Sequence, residues 1–125
     1  MRIVFNNAQY NKALKSYFAS ADFEFCSVCA INEKGAILGG CGFSPVKNNT
    51  TYVYILALNP KWASIELYKE IMKFPFITMN ADIVLAVVHN KAAINIGLRM
   101  GGTITNDGHG LIFEKDAVLA KLNNL

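Results

Sequence analysis

The chain has 125 residues, of which 53% are hydrophobic and 17% are charged, and its formal net charge is +3. This length accommodates one domain, residues 1–125, with a single core, and no apolar run approaches the roughly 20 residues of a membrane-spanning helix. The first residues lack the apolar core and cleavage site of a signal peptide, so we expect a cytoplasmic protein, in the host cytoplasm if the source is viral.

Charge and cysteine usage narrow the function classes further. The lysines are scattered and no aromatic residues interleave with them, which disfavours a nucleic-acid groove. The mild positive charge would suit an anionic cofactor such as a CoA thioester. Without a secretory signal, the three cysteines are predicted to be buried free thiols. Cys26 and Cys29 form a C-x-x-C, but strand alternation places them on opposite faces, so neither zinc nor a redox pair is expected.

The first half of the chain predicts a strand, an amphipathic helix and an antiparallel hairpin. Residues 1–5 are typical of a short strand, and apolar residues at helical spacing follow from Tyr10 to Phe18. The hairpin comprises the apolar runs 25–31 and 36–43, joined by the turn Asn-Glu-Lys-Gly. Its second arm contains Gly-Gly-Cys-Gly, which indicates a bulge or the close approach of another backbone.

The second half predicts alternating strands and helices. Residues 51–58 predict a strand that Asn-Pro ends, and residues 61–73 a helix that Phe74-Pro75-Phe76 ends. The remaining predicted elements are a strand at 83–88, a helix after Asn90, strands at 103–105 and 110–114, and a helix at 116–122. This order predicts an α+β (mixed α/β) fold with a mostly antiparallel sheet of six to seven strands and helices on both faces.

The junction after the strand 83–88 carries the clearest functional signal. Six consecutive apolar residues predict a strand that is buried on both faces. Asn90 is a suitable N-cap, and the free N–H groups of the helix N-terminus behind it attract an anion. Ligands collect at the carboxyl end of such a strand in an open α/β sheet. The alternative is that Asn90 only caps the helix.

Two short motifs are informative together with the order of elements. The segment 90–101 contains Asn-x-x-Ala-Ile and ends in Met-Gly, and the segment 39–43 is Gly-Gly-Cys-Gly-Phe. They resemble the signature after the fifth strand and the glycine-containing third strand of the GNAT N-acetyltransferase superfamily. The resemblance covers nearly the whole chain and is greatest to the small GNAT-like proteins of tailed bacteriophages. It implies a GNAT-like sheet and acetyl-CoA as cofactor.

The resemblance also implies where acetyl-CoA would be held. The pantetheine arm would pair with the backbone of the fourth strand, and the pyrophosphate would lie at the start of the next helix. There the chain lacks the family's glycines and arginine and carries Trp62. The implied cofactor-binding residues are Leu56, Ala57, Leu58, Lys61, Ser64, Asn90 and Ala93.

The chain departs from the catalytic pattern of the family at two positions, so the candidate catalytic residues are chosen by their place in the sequence. The family's tyrosine acid corresponds to Gly97, and its glutamate on the fourth strand is replaced by Tyr52 and Tyr54. The candidate catalytic residues are Tyr54, which could line an acceptor pocket, and His89, which could relay a proton. The alternatives are core packing for Tyr54 and a purely structural hydrogen bond for His89. His109 is expected to be solvated in a turn, and no metal site is expected.

The main hypothesis is an enzyme that transfers an acetyl group from acetyl-CoA to a small-molecule or protein amine in a ternary complex. The alternative is a catalytically degenerate GNAT-fold phage protein that acts as a binding or virion-associated module. An exposed apolar patch at Trp62, Phe74 and Phe76 would support that alternative. A third reading is an enzyme acting on a nucleobase amine. No membrane partner is expected, and a homodimer stays open.

Overall fold

The computed structural model describes residues 1–59, 65–88 and 91–124, which form seven strands and four helices. The strands are β1 Arg2–Phe5, β2 Cys26–Ile31, β3 Ile37–Phe43, β4 Thr50–Ala57, β5 Ile83–Val87, β6 Thr103–Ile104 and β7 Gly110–Glu114. The helices are α1 Ala8–Lys15, α2 Ile65–Lys73, α3 Lys91–Arg99 and α4 Lys115–Leu122. The strand order is β1-β2-β3-β4-β5-β7-β6. The expected α+β fold with a mostly antiparallel sheet is confirmed.

The chain divides into two compact units, each with its own buried side chains. The first unit comprises Met1–Pro45 and Val53–Ile71, and the second comprises Val46–Tyr52 and Met72–Leu125. The sequence-based expectation of one domain stays a prediction. Within the described ranges, no helix is both long enough and apolar enough to cross a membrane.

In the first unit, α1 is fixed on the sheet by a polar network as well as by apolar packing. The Asn7 side chain accepts hydrogen bonds from the second and third residues of the helix, as an N-cap does. The N–H and hydroxyl groups of the fully buried Ser27 donate to Oδ1 of Asn11. Leu14, which is also fully buried, belongs to the core of this unit. The helix ends at Lys15, so the apolar spacing as far as Phe18 overestimates its length.

The glycines of β3 are explained by their neighbours on β2 and by Phe25, which directly precedes β2. A Cβ atom on Gly42 would lie 2.2 Å from the ring of Phe25, and one on Gly40 would lie 2.8 Å from the carbonyl oxygen of Val28. Only glycine leaves room for these contacts. The predicted close approach is therefore confirmed. The pairing of β2 with β3 also has a register irregularity, between Ala30 and Ile31.

All three cysteines are free thiols, as predicted. Cys29 and Cys41 are buried, whereas Cys26 is only partly buried. Burial, with a smaller contribution from the nearby Cys29, raises the pKa of Cys41 to about 12. The thiols of this unit are therefore poor nucleophiles and apolar packing groups.

In the second unit, β5 does not have the burial that its sequence predicts. Val84 and Ala86 are buried, but Val87 is 67% exposed and Leu85 is partly exposed. The prediction of a strand buried on both faces was wrong. Successive side chains of β5 lie on a buried face and on a partly solvated face in turn. A continuous apolar run does not reveal this difference, because it depends on which elements cover each face.

The chain after α2 differs from prediction in its conformation and its burial. The α-helix ends at Lys73, as predicted. Phe74–Thr78, which were expected to end the helical conformation, instead form a π-helix directly after it. Phe74 is 5% exposed and Phe76 is fully buried. The hypothesised exposed apolar patch was therefore wrong for these two residues, and Trp62 lies outside the described residues.

Two consecutive glycines, a residue type that commonly ends helices, close α3. Gly101 has a φ of +96°, a left-handed conformation that glycine adopts without the strain of a Cβ. Its N–H donates to the carbonyl of Leu98, and the N–H of Gly102 donates to the carbonyl of Gly97. These two bonds form a Schellman motif, so the two glycines close the helix.

Candidate functional site

The predicted site residues are distributed over two described elements and two segments outside them. Tyr54, Leu56 and Ala57 lie on β4, and Leu58 follows it. Ala93 lies on α3, where its side chain is not described. The other predicted site residues, Lys61, Ser64, His89 and Asn90, lie outside the described residues.

The register of β4 on β3 distinguishes among the residues predicted to bind pantetheine. Leu56 is opposite Gly40, and the N–H of Leu58 donates to the carbonyl oxygen of Leu38 over 3.0 Å. In an antiparallel pair, successive residues direct their backbone polar groups to opposite sides of the strand. The N–H and C=O groups of Leu56 and Leu58 therefore point towards β3. Those of Ala57, whose side chain is exposed, point away from β3.

Tyr54 belongs to a cluster of four aromatic rings in the first unit. Its ring centroid lies 5.3 Å from that of Phe18, 5.7 Å from that of Phe23 and 5.6 Å from that of Phe25. These separations are typical of favourable aromatic pairs. The packing interpretation of Tyr54 thus has direct contacts in its favour, and its catalytic role stays a prediction.

Gly97 departs from the family pattern for a steric reason. A Cβ atom at this position would lie 2.3 Å from Cδ1 of Leu111 and 3.3 Å from Cζ of Phe113. Leu111 and Phe113 are buried side chains of β7, with 2% and 5% exposure. The close packing of α3 on β7 therefore leaves no room for a tyrosine at residue 97. Sequence reasoning identified the missing side chain but not its cause.

The turn between β6 and β7 carries His109, which was expected to be solvated. His109 is exposed, and its carbonyl oxygen accepts a hydrogen bond of 2.9 Å from the N–H of Val88. Val88 directly follows β5, and Val87 is opposite Gly110 in the register of β5 and β7. His109 is therefore held beside the carboxyl end of β5. The sequence contained no signal for this, because the pairing joins residues about 20 positions apart.

Comparison with solved structures decides the fold family. An acetyltransferase of the GNAT family from Staphylococcus aureus MU50 superposes with a TM-score of 0.63, at 12% sequence identity, covering 91% of this chain and 98% of that one. The chain has the GNAT fold. Mutant forms of the spermidine/spermine N-acetyltransferase SpeG from Vibrio cholerae share this fold, with a TM-score of 0.64, at 10% identity, covering 90% of this chain and 77% of that one. No protein-family model and no curated protein sequence matches the chain.

The GNAT fold agrees with the resemblance that the sequence motifs indicated. At such low identity it is the backbone arrangement that is shared, and function has to be argued from the site. Among the residues that the structure describes, no group of three His, Cys, Asp or Glu side chains is positioned to hold a metal ion.

Proposed function

We propose that the protein is an acetyl-CoA-dependent N-acetyltransferase that acts on a small-molecule amine. The observation that carries this proposal is the GNAT fold over 91% of the chain, shared with a structure described as a GNAT-family acetyltransferase. The spermidine/spermine N-acetyltransferase among the similar structures favours a small amine as acceptor, although a protein amine is a second possibility for the same chemistry.

The described residues of β4 fit the pantetheine arm of acetyl-CoA. This arm is extended and carries amide groups, so it can pair with a strand as another strand does. Ala57 directs its N–H and C=O groups away from β3 and has a small, exposed side chain, so both groups are suited to that pairing. Leu56 and Leu58 direct their polar groups towards β3, and their part would be to keep Ala57 in register.

Four further residues would hold the cofactor in this proposal. Lys61 and Ser64 would bind the pyrophosphate, and Asn90 and Ala93 would contact the cofactor at the start of α3. When bound, acetyl-CoA supplies an acetyl thioester that an amine can attack. Tyr54 would line the acceptor pocket and His89 would relay a proton, as their positions in the sequence led us to expect. Much of the acceleration in such a reaction comes from holding the two reactants in the right orientation.

The alternative is a GNAT-fold module that binds another macromolecule, such as a virion-associated phage protein. The observation in its favour is the packing at Gly97, which excludes the tyrosine acid of the family. Phe74 and Phe76 are buried, so neither belongs to the exposed apolar patch that would have supported this alternative. The relationship to phage proteins and the homodimer stay predictions.

Calorimetric titration with acetyl-CoA and CoA tests the proposal without knowledge of the acceptor. We expect micromolar binding and an increase in melting temperature. Consumption of acetyl-CoA would then be measured with a panel of amines that includes spermidine. Absence of both heat and thermal stabilisation at millimolar ligand would refute the transferase and favour the binding module.

Two variants of Ala57 test the predicted backbone contact. Ala57→Pro removes the N–H that points away from β3, and we expect acetyl-CoA to bind about 5-fold to 10-fold more weakly, the effect of one lost hydrogen bond of about 1 kcal/mol. Ala57→Ser keeps the N–H and should bind like the wild type. Equal affinity of both variants, with unchanged melting temperatures, would show that this N–H does not contact the cofactor.

A further inference from the structure

The turn that carries His109 is held by its own hydrogen bonds. Oδ1 of Asp107 accepts from the N–H of His109 over 3.0 Å and from the hydroxyl of Thr105. The N–H of Gly108 donates to the carbonyl of Thr105, whose own N–H donates to the carbonyl of Gly110. Gly108 has a φ of +77°, which suits glycine in such a turn. These hydrogen bonds hold the backbone of His109 in the turn.

The position of this turn is set by β5. The hydrogen bond from Val88 to His109 joins the turn to the last described residue before residues 89–90. The carboxyl end of a strand that leads into a helix is where ligands collect in an α/β sheet. The pairing of β5 with β7 thus brings an exposed imidazole to the end of the strand where the proposed acetyl transfer would take place.

An ionised carboxylate, that of Asp107, lies beside His109 in this turn. The pKa of Asp107 is lowered by the hydrogen bond from Thr105, by the backbone N–H of His109 and by the positive charge of the His109 imidazolium. The Asp107 carboxylate therefore stays ionised near neutral pH, and it accepts a hydrogen bond from the backbone N–H of His109. Histidine is also the side chain whose ordinary pKa allows both forms at neutral pH.

The packing of α3 disfavours a proton-transfer group at residue 97. A Cβ atom there would lie 2.3 Å from Cδ1 of the buried Leu111, so a titratable side chain would require Leu111 to shift. An amine acceptor is mainly protonated at neutral pH and has to lose a proton before its nitrogen can attack. A base at the acceptor side is thus needed for efficient transfer.

We propose that His109 is the general base that takes this proton, an inference that rests on the proposed acetyltransferase function. The neutral imidazole accepts a proton from the acceptor ammonium. The amine nitrogen then forms a bond to the thioester carbonyl carbon. The carbon–sulfur bond breaks, and the electron pair of that bond goes to sulfur. The second amine proton passes to the thiolate, and His109 releases its proton to solvent. The products are the N-acetylated amine, CoA with a free thiol, and one proton.

The test compares wild type, His109→Gln, His109→Ala and Asn106→Ala. We expect kcat to fall by about 100-fold or more in both His109 variants, the usual contribution of a general base, with the KM for acetyl-CoA unchanged. Added imidazole should restore part of the rate of His109→Ala and should leave the rate of the wild type unchanged. Asn106→Ala changes an exposed residue of the same turn and should keep the wild-type rate.

The outcomes separate the two proposals. If wild type consumes acetyl-CoA and His109→Gln retains more than a third of its kcat, the role of His109 is refuted and the acetyltransferase function stands. If wild type neither binds nor consumes acetyl-CoA, both are refuted. Because His109 is exposed, its variants should melt within about 2 °C of the wild type, so that loss of rate is not loss of folding.

Discussion

Substitution of Gly97 by alanine tests the packing that excludes an acid from α3. In a helix interior, glycine to alanine normally increases stability by about 1 kcal/mol. Here the added Cβ would lie 2.3 Å from Cδ1 of Leu111, whose side chain is 2% exposed and so has little room to move. Overpacking of this kind costs about 1–3 kcal/mol. Because Leu111 has little room to move, we expect the upper part of this range, about 2–3 kcal/mol. After subtraction of the helix-propensity gain of about 1 kcal/mol, the net loss is about 1–2 kcal/mol.

The assay is thermal and urea unfolding of the variant. Unfolding entropy scales with chain length, and for 125 residues it corresponds to about 4 °C in melting temperature per kcal/mol. Gly97→Ala should therefore melt about 4–8 °C below the wild type. Asn95→Ala, on the exposed side of the same helix, is the matched control and should gain about 0.5 kcal/mol from helix propensity alone.

A double-mutant cycle identifies the contact responsible. Leu111→Val removes the δ-carbon that the new Cβ would meet, so Gly97→Ala should cost at least about 1 kcal/mol less in that background. A Gly97→Ala protein as stable as the wild type, or effects of the two substitutions that simply add, would refute the steric explanation. In that case a tyrosine at residue 97 would become worth testing for a gain of activity.

Three further predictions follow from local features. Because the pKa of Cys41 is about 12 rather than the ordinary 9.0, its thiolate fraction at pH 8 is about 1000-fold lower than that of a free cysteine. Alkylation, read out by mass spectrometry, should therefore modify Cys26 first and Cys41 only when the protein unfolds. The pKa of Asp107 is lowered, first by the hydrogen bond from Thr105, so its carboxylate stabilises the fold above pH 3.8 and stops doing so as the pH falls through the folded-state pKa. The difference in melting temperature between wild type and Asp107→Asn should therefore disappear below pH 3.8. Gly101→Ala should cost about 1–2 kcal/mol in urea unfolding, because alanine is strained at a φ of +96°; an unchanged midpoint would contradict this.

Features that depend on a few consecutive residues could be predicted from the sequence. The order of strands and helices, the glycine closure of α3 and the free thiols are of this kind, because turn residues, caps and hydrophobic periodicity act over a few positions. The crowding around Gly42 was also foreseen, since glycines within a strand indicate close approach. The motif around Asn90 indicated the GNAT family before any fold was known, and the superpositions agree on the fold.

Features that depend on pairing between distant segments could not be predicted. Exposure of Val87 and burial of Phe76 follow from which elements cover them, and an apolar sequence alone does not specify this. The orientation of the Ala57 backbone follows from the register of β4, which a shift of one residue would reverse.

The sequence by itself thus determined the elements and the likeness to acetyltransferases, since local propensities and short motifs are encoded in consecutive residues. Only the tertiary structure decided why residue 97 is a glycine and where His109 lies. Both depend on β7: its side chains Leu111 and Phe113 close the space beside α3, and its register with β5 brings His109 opposite Val88. Contacts of this kind are made between residues far apart in the chain, so they exist only once the strands have paired.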